Sequence, residues 1–313
     1  MPDKRKPIVV VGSITMDMVS RAKQIPRVGQ TVIGTNFQTT PGGKGANQAV
    51  AAARLGYPVE MVGLVGTDMY GQALLDNLAA AGVQADGMGR AEGSSGLAPI
   101  FLAENGENAI IVIPGANGKM DCARIDQHAD LIRSAGMVLF QLELPLETLP
   151  HTLELCTSAG VPVMLDPAPA AALPDSVWNK IAWFTPNETE AAFYLEPGLT
   201  TEAAANDLLK RGVKGVVLKR GAEGSFVATQ GRAAWVPPFA VNAIDTVGAG
   251  DCFNGAFAVA LLEGRDPWAA ALFANAAAAI SVTRPGAQAS MPHRNEVDQF
   301  MAQNQPAPLA STH

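Results

Sequence analysis

The sequence is poor in cysteine and in positive charge. Its three cysteines, Cys122, Cys156 and Cys252, form no CxxC pair in 313 residues, which argues against a disulfide framework and a zinc site. Lys and Arg number 22 against 29 Asp and Glu, so the formal net charge is -7. A chain with this deficit of positive charge lacks the basic face that duplex nucleic acid requires.

Long apolar runs are missing as well. The longest uncharged stretch, residues 267–283, falls short of the ~20 apolar residues of a membrane span and predicts a buried helix. The apolar run at residues 8–11 is too short for a signal-peptide core. These absences predict a soluble protein of the cytoplasm that does not contact membranes.

Two nucleotide-binding fingerprints are also absent. The chain holds neither GxxxxGKS nor GxxxxGKT, and no strand leads into GxGxxG. The first absence excludes a Walker A phosphate loop. The second disfavours an NAD-dependent oxidoreductase.

Short apolar runs alternate with helical patterns over most of the chain. This alternation predicts an α/β fold, a doubly wound and mainly parallel sheet flanked by helices. The predicted strands are residues 8–11, 60–65, 137–142, 161–166, 182–185 and 216–219. The predicted helices between them are residues 45–55, 70–81, 122–134, 146–159 and 202–211.

Two segments break this alternation. Residues 29–41 alternate polar and apolar side chains, and residues 98–113 predict a hairpin around 104–107. They are either surface hairpins or a small β-sheet lid over the active-site end of the main sheet. We expect one α/β domain at 1–302 with lid inserts at about 18–41 and 97–113, followed by a flexible tail at 303–313.

The segment DTVGAGDCFNG at residues 245–255 carries the strongest chemical signal. Small residues at 248–250 precede the apolar run at 253–262, which predicts a helix whose first amides are open to a phosphate. Asp251 falls in that first turn. It is either a helix cap, which the helix dipole favours, or a catalytic acid-base group whose pKa the same dipole would depress.

Other polar clusters follow predicted strands. Thr15 and Asp17 follow the first strand, and Glu143, Asp166 and the segment TPNETE at 185–190 follow later ones. In an open α/β sheet the carboxyl ends of the strands form the ligand crevice. The glycine turn PGGKGANQ at 41–48 opens a helix and lets backbone approach a ligand there.

Together these motifs resemble a known family. GSITMD, PGGKGANQAVAAARLG, QLELPLE, DPAPA, TPNETEA and DTVGAGDCFNG occur in an order and spacing similar to the ribokinase branch of the ribokinase-like carbohydrate kinases, from about residue 8 to 300. The resemblance implies transfer of the γ-phosphoryl of ATP, with Mg²⁺, to the primary 5-hydroxyl of D-ribose, giving ribose 5-phosphate and ADP. It also implies K⁺ as an activating cation and a homodimer joined through the β-sheet lids.

The resemblance assigns roles residue by residue. It implies that Asp251 is the catalytic base and that Gly248, Ala249 and Gly250, with the Asp251 amide, form an anion hole. The implied sugar contacts are Thr15, Asp17, Gly43, Lys44, Gly45, Asn47, Glu143 and Asp251. The implied ATP contacts are Asn187, Lys219, Arg220, Gly221, Ala222, Glu223, Gly224, Gly250 and Asn275. Glu190 is the implied magnesium residue, and the implied potassium residues are Asp245, Val247, Ser281, Arg284, Gly286 and Ser290.

Thr15 departs from the family pattern, which has Asn at this position. Thr has a shorter reach and a single donor, so one sugar hydroxyl loses a partner and the identity of the sugar stays open. The alternatives are 2-deoxyribose or another sugar, a nucleoside acceptor, and a non-catalytic sensor of sugar or nucleotide. We expect Cys252 to be a small buried apolar residue.

Overall fold

A large central sheet and a smaller one hold the strands of the protein, whose computed structural model describes residues 5–307. The strands are β1 (Ile8–Val11), β2 (Thr15–Ala22), β3 (Gly34–Gly42), β4 (Val59–Gly66), β5 (Met88–Ala91), β6 (Gly96–Ala103), β7 (Asn108–Ile110), β8 (Met137–Gln141), β9 (Val163–Asp166), β10 (Trp183–Phe184), β11 (Gly215–Lys219), β12 (Ser225–Thr229) and β13 (Arg232–Val236).

Helices connect and cover these strands. They are α1 (Lys44–Arg54), α2 (Met69–Ala80), α3 (Cys122–Asp126), α4 (Ala129–Ser134), α5 (Thr148–Ala159), α6 (Glu188–Tyr194), α7 (Thr201–Lys210), α8 (Ala249–Leu262), α9 (Pro267–Ser281) and α10 (Arg294–Gln303). Short 3-10 helices lie at Gly115–Lys119, Asp175–Lys180, Gly221–Glu223 and Gln288–Ser290.

The central sheet has nine strands in the order β13-β12-β11-β10-β9-β8-β1-β4-β5. The strands from β11 to β5 in this spatial order run parallel to one another. Strands β12 and β13 form an antiparallel hairpin at the other end of the order. From β1 the chain proceeds to β4 and β5 on one side, then returns to β8 on the other. The strand order thus reverses between β1 and β8, which places the ligand crevice of a doubly wound sheet at their carboxyl ends.

The predicted fold class is confirmed, including the separate small sheet. The predicted strands of the central sheet and the helices between them are present with ends that shift by no more than two residues, except that the helix predicted at 122–134 is broken between α3 and α4. The buried helix predicted at 267–283 is α9. Strands β5, β12 and β13 and helix α10 were not among the predicted elements.

The central sheet is buried on both faces. Ile8 and Val10 of β1 pack in one apolar cluster, and Val9 and Val11 pack in another on the opposite face. This double burial explains why the strand is continuously apolar rather than alternating. Within the described chain, no helix combines the length and the apolar character needed to cross a membrane.

Helices α1 and α8 approach each other closely at a glycine. A Cβ placed on Gly255 would lie 2.7 Å from the Ala51 Cβ and 2.8 Å from the Gln48 carbonyl oxygen. Gly255 follows Asp251 by one helical turn and lies on the same face of α8. The missing side chain therefore lets the start of α1 reach Asp251.

The small sheet has the order β3-β2-β6-β7. Strand β2 pairs antiparallel with β3 and parallel with β6, and β6 forms the predicted hairpin with β7. Its first strand begins at Thr15, earlier than the insert boundary expected at about residue 18. Thr15 and Asp17 are therefore the first residues of the small sheet rather than a loop of the large one.

The segment expected to be a flexible tail lies only partly in the described chain. After α10, the Asn304 amide donates to the Phe300 carbonyl at 2.9 Å and the Ala307 amide donates to the Pro238 carbonyl at 2.8 Å. Residues 308–313 lie outside the described residues.

Candidate active site

Asp251 is the third residue of α8, and its carboxylate faces α1. It is 6% exposed and accepts hydrogen bonds from Asn47 Nδ2 at 2.9 Å and from Gln48 Nε2 at 3.1 Å. The residue that caps α8 is Gly248, with φ of 75°, and no side chain caps the helix. The Asp251 carboxylate therefore faces the crevice and does not cap its own helix.

The first turn of α8 presents backbone donors that have no acceptor among the described residues. The first bond of the helical pattern runs from the Cys252 amide to the Gly248 carbonyl at 2.8 Å, and the Ala249 amide is used by the Thr246 carbonyl at 3.2 Å. The Gly250 and Asp251 amides come between these two and point beyond the helix end, where an anion is favoured by the dipole. Of the predicted anion hole, the structure keeps these two amides available.

The expected depression of the Asp251 pKa is wrong. Burial raises the pKa of Asp251, and the charge of Lys44 and the hydrogen bonds from Asn47 and Gln48 oppose that rise without cancelling it. Desolvation of a carboxylate outweighs the helix dipole here because the group is almost fully enclosed. Asp251 is therefore a stronger base than it would be if only the helix dipole acted on its pKa.

Residues from three parts of the chain line one side of the crevice. Glu143, just after β8, accepts a hydrogen bond from the Ser13 hydroxyl and another from the Lys44 amide at 3.1 Å. Thr15 Oγ1 donates to Asp17 Oδ1 at 2.9 Å. The Asn47 Oδ1 atom is buried without a hydrogen-bond partner among the described residues. These groups offer acceptors to several hydroxyls of one small ligand.

Two glycines make room for the Asp17 carboxylate and its neighbours. A Cβ on Gly42 would lie 2.3 Å from Asp17 Oδ2, and one on Gly43 would lie 2.7 Å from the Ile14 Cα. Gly43 also has φ of 88°, a conformation that side chains rarely adopt. Gly42 and Gly43 are therefore both required by close approach.

Burial and neighbouring charges together shift the pKa values on this side. Burial raises the pKa of Asp17 to about 6, with repulsion from Glu143 and Asp251 adding to the effect and the Thr15 hydrogen bond opposing it. Burial alone would lower the pKa of Lys44. The carboxylates around it raise that pKa instead, and they belong to Asp251, Asp166, Glu143 and Glu190.

The structure adds three polar residues that were not assigned a role from the sequence. Gln48, Gln141 and Asp166 are buried and hydrogen-bonded to one another or to Asp251. Gln48 directly follows Asn47 in the glycine-turn motif, and Asp166 stands at a strand end. Those positions in the sequence could have indicated a role for these residues, but a sequence does not show in which direction an amide side chain points.

The predicted nucleotide residues surround the turn after β11. Arg220 pairs with Glu188 and with Glu223, so two predicted ATP residues, Arg220 and Glu223, neutralise each other. Lys219 is the last residue of β11, and the glycines at 221 and 224 bound the turn. Asn275, on α9, donates to the Val236 and Pro237 carbonyls at 3.2 and 3.0 Å.

Glu190 and Asn187 form a capping box at the start of α6. The Asn187 amide and its Nδ2 donate to the two carboxylate oxygens of Glu190 at 2.8 and 2.9 Å, and Asn187 Oδ1 accepts from the Glu190 amide at 2.8 Å. Burial raises the pKa of Glu190, Asp166 adds to that rise, and Lys219 and Lys44 counter it. Within residues 5–307 no group of three or more acidic, His or Cys side chains gathers to hold a metal ion. One or two carboxylates suit Mg²⁺ that is held chiefly by phosphates and water, so Glu190 fits that ion.

Part of the predicted potassium set comes together around Asp245. Its carboxylate accepts from the Val247 amide at 3.0 Å and from the Gly286 amide at 2.8 Å. The Ser281 and Ser290 hydroxyls each donate at 2.8 Å to a carbonyl three residues earlier. Arg284 forms an ion pair with Glu296. The segment adjoins the first turn of α8, because a Cβ on Gly248 would lie 2.9 Å from the Ala287 Cβ.

Fold and site together define an α/β protein that holds a carboxylate and free amides at the head of one helix, an arrangement that can orient a hydroxyl and bind a phosphoryl group. The family model for pfkB family carbohydrate kinases matches residues 5–294, and the chain belongs to that family. The resemblance read from the sequence is thereby confirmed.

Individual relatives match over nearly the full length. The chain is 46% identical over 297 residues to the ribokinase of Bacillus subtilis (strain 168), covering 94% of this chain and 99% of that protein. It is 36% identical over 304 residues to the deoxyribokinase of Salmonella typhi, covering 95% and 99%. The structure of Arabidopsis thaliana ribokinase complexed with ribose and ATP matches with a TM-score of 0.87 at 36% identity, over 95% of this chain and 98% of that one.

Replacing Asp17 by Asn is expected to stabilise the folded protein at neutral pH. The Asp17 pKa is about 6 in the folded state against an ordinary 3.8. Folding therefore takes up a proton between about pH 4 and pH 6, and that contribution to stability is lost as the pH rises through 6. Asp17→Asn should raise the free energy of unfolding near pH 7.5 by about 1 to 3 kcal/mol, measured by urea unfolding.

The matched control is Asp130→Asn on α4, whose carboxylate is fully exposed. It should leave the dependence of stability on pH between about 4 and 6 unchanged. An Asp17→Asn protein with the wild-type dependence would contradict the burial of this charge.

Proposed function

We propose that the chain is an ATP-dependent D-ribose kinase that transfers the γ-phosphoryl of ATP to the primary 5-hydroxyl, giving ribose 5-phosphate and ADP. The observation that carries the proposal is the buried Asp251 carboxylate beside the free Gly250 and Asp251 amides of α8. Asn47 supports it, since its Nδ2 holds Asp251 and its Oδ1 has no partner among the described residues. A sugar hydroxyl can donate to that oxygen.

The residues of the crevice have separate roles in the proposed reaction. Asp251 orients the primary hydroxyl and accepts its proton as the oxygen bonds to phosphorus, and the raised pKa suits that task. The Gly250 and Asp251 amides bind the oxygens of the transferred group, whose charge they meet with fixed dipoles. Asp17 and Glu143 accept hydrogen bonds from the remaining sugar hydroxyls. Glu190 would hold Mg²⁺, which neutralises phosphate charge when bound.

A second sugar remains a specific candidate because of Thr15. Its hydroxyl proton is given to Asp17 Oδ1, so it presents only an acceptor to a ligand. A site with fewer donors rejects a sugar lacking one hydroxyl less strongly. Together with the 36% identity to a deoxyribokinase, this makes 2-deoxyribose the second candidate.

A nucleoside kinase and a non-catalytic sensor have less support from the site. A nucleoside acceptor would call for an apolar surface beside the ribose, whereas Asp17, Lys44 and Glu143 make this side polar and charged. A non-catalytic sensor would not need a buried carboxylate next to free amides, because burying the charge of that carboxylate destabilises the folded state.

The decisive experiment is an ADP-release assay with ribose, 2-deoxyribose, arabinose, xylose, fructose and ribonucleosides. We expect ribose to give the highest kcat/KM. In Asp251→Asn, kcat for ribose should fall about 100- to 10,000-fold because the proton acceptor is lost, while sugar binding measured by calorimetry is largely kept. Asn preserves the shape but has a single acceptor oxygen, so one of the two amide donors, from Asn47 or Gln48, keeps its acceptor.

A higher kcat/KM for 2-deoxyribose than for ribose would replace the proposed substrate by the second candidate. Sugar binding with no ADP formed by the wild-type protein would favour the sensor. Near-normal turnover in Asp251→Asn would remove Asp251 from its assigned role.

We infer that K⁺ activates the enzyme through the Asp245 segment. Asp245 bonds the amides of Val247 and Gly286, and Gly248 packs on Ala287 directly beside the anion hole. A cation bound among carbonyls there would fix the backbone that carries the Gly250 amide. Replacing K⁺ by tetramethylammonium at constant ionic strength should lower kcat by about fivefold to a hundredfold. An unchanged rate would count against the site.

We also infer a homodimer joined through the small sheets. Phe37 lies on β3 and Ile110 on β7, the two opposite edges of the small sheet, and they are 57% and 53% exposed. The exposed apolar residues at 111–113 follow β7. Exposed apolar patches of this kind mark association surfaces. Light scattering should give a dimer for the wild type and a monomer for Phe37→Asp combined with Ile110→Asp. Phe193→Asp, exposed on α6, is the control and should stay dimeric; a monomeric wild type would contradict the inference.

The proposed reaction is consistent with the cytoplasm. ATP is the donor, and Cys122, Cys156 and Cys252 are all free thiols, as a reducing compartment maintains them. Burial raises the pKa of the Cys252 thiol to about 12, so this neighbour of Asp251 is a neutral packing residue.

A further inference from the structure

A buried ion pair stands beside the site and has no part in the steps described above. Lys219 Nζ donates to Asp166 Oδ1 at 2.9 Å, and the two side chains are only 12% and 4% exposed. Asp166 ends β9 and Lys219 ends β11, so both lie at the carboxyl edge of the central sheet. Burying two opposite charges brings little net stability, because desolvation offsets their attraction. Stability alone therefore does not account for the pair.

The Lys219 ammonium lies at the positive end of α8. A Cβ on Gly250 would be 3.5 Å from Lys219 Nζ, which places the ammonium against the first turn of the helix. A cation at a helix N-terminus is repelled by the helix dipole. An anion that contacts both removes this repulsion, since the ammonium and the free amides attract it together. The ammonium is thus placed to contact a phosphoryl group that binds the Gly250 amide.

Gln48 connects the ion pair to Asp251. Its Nε2 donates to Asp166 Oδ2 at 2.9 Å and to Asp251 Oδ1 at 3.1 Å. Gln141 Nε2 donates to Gln48 Oε1 at 2.7 Å, and this bond fixes which end of the Gln48 amide faces the carboxylates. A single buried amide therefore sets the spacing between the carboxylate that holds Lys219 and the carboxylate that faces the hydroxyl.

We propose that Lys219 contacts the phosphoryl group during transfer and that Asp166 and Gln48 are positioning residues for Lys219 and Asp251. This rests on the proposed kinase function. The sugar oxygen forms a bond to the γ-phosphorus while the bond from that phosphorus to the β–γ bridging oxygen breaks. The electron pair of the broken bond leaves with ADP, and the hydroxyl proton passes to Asp251. Lys219 and the Gly250 amide stabilise the charge on the group in transit.

Three variants separate a catalytic role from mere charge balance: Asp166→Asn, Lys219→Met and the two combined. With ribose and ATP we expect kcat to fall about 10- to 100-fold in Asp166→Asn and about 100- to 1,000-fold in Lys219→Met. The KM for ribose should stay within about threefold in both. The double variant should regain the wild-type melting temperature, because no unpaired buried charge remains, while its kcat stays at the level of Lys219→Met.

A purely structural pair predicts the opposite for the double variant. A kcat restored to within about threefold of the wild type would overturn the proposal, as would an Asp166→Asn enzyme with wild-type kcat. The matched control is Lys180→Met, which removes the lysine of an ion pair with the largely exposed Glu154 and should leave kcat unchanged.

Gln48→Ala tests the positioning link with the ion pair left intact. We expect kcat to fall about tenfold with little change in the KM for ribose, because Asp251 loses one of its two donors. A wild-type kcat in this variant would overturn the role of Gln48. The wild-type protein in the same series tests the function itself: if it forms no ADP with any sugar, the kinase proposal fails and not only the role of the ion pair.

Discussion

The site depends on the close approach of α1 and α8. Gly255 allows it, because any side chain there would meet the Ala51 Cβ at 2.7 Å. At this crossing Asn47 Nδ2 comes within 2.9 Å of Asp251 although the two are 204 residues apart in sequence. A wider crossing would leave a buried carboxylate without donors, which costs far more than losing a bond at the surface.

The doubly wound topology brings the remaining groups to the same place. Because the strand order reverses between β1 and β8, the residues after these strands face an open crevice and not a helix. Ser13 follows β1, Glu143 follows β8, and the hydrogen bond between them spans the reversal point. The small sheet starts at the same point, with Thr15 of β2 paired to Gly42 of β3. Thr15 and Asp17, two of the predicted sugar residues, therefore belong to the same continuous segment as the first two strands of the small sheet.

The sequence could reveal those features of the fold that depend on residues close together in the chain. Apolar runs on both faces of a strand, glycine turns and acids at strand ends each depend on neighbours in the chain, and these features predicted the fold class and most strands. The Asp251 pKa was misjudged because it depends on burial, which the helix dipole does not describe. The direction of the Gln48 amide is fixed by Gln141, 93 residues away, and the Lys219–Asp166 pair forms only once β9 and β11 lie in one sheet.

The net charge of -7 does not oppose a triphosphate, because the field in the crevice is set locally. Asp251, Asp166, Glu143 and Glu190 surround Lys44 and raise its pKa, so the acids that would repel a phosphate also keep that ammonium charged. The Gly250 and Asp251 amides add positive potential that no titration removes. In the proposed reaction a phosphoryl group is therefore bound by the placement of amides and ammonium groups, and an acidic chain can accommodate it as well as a basic one.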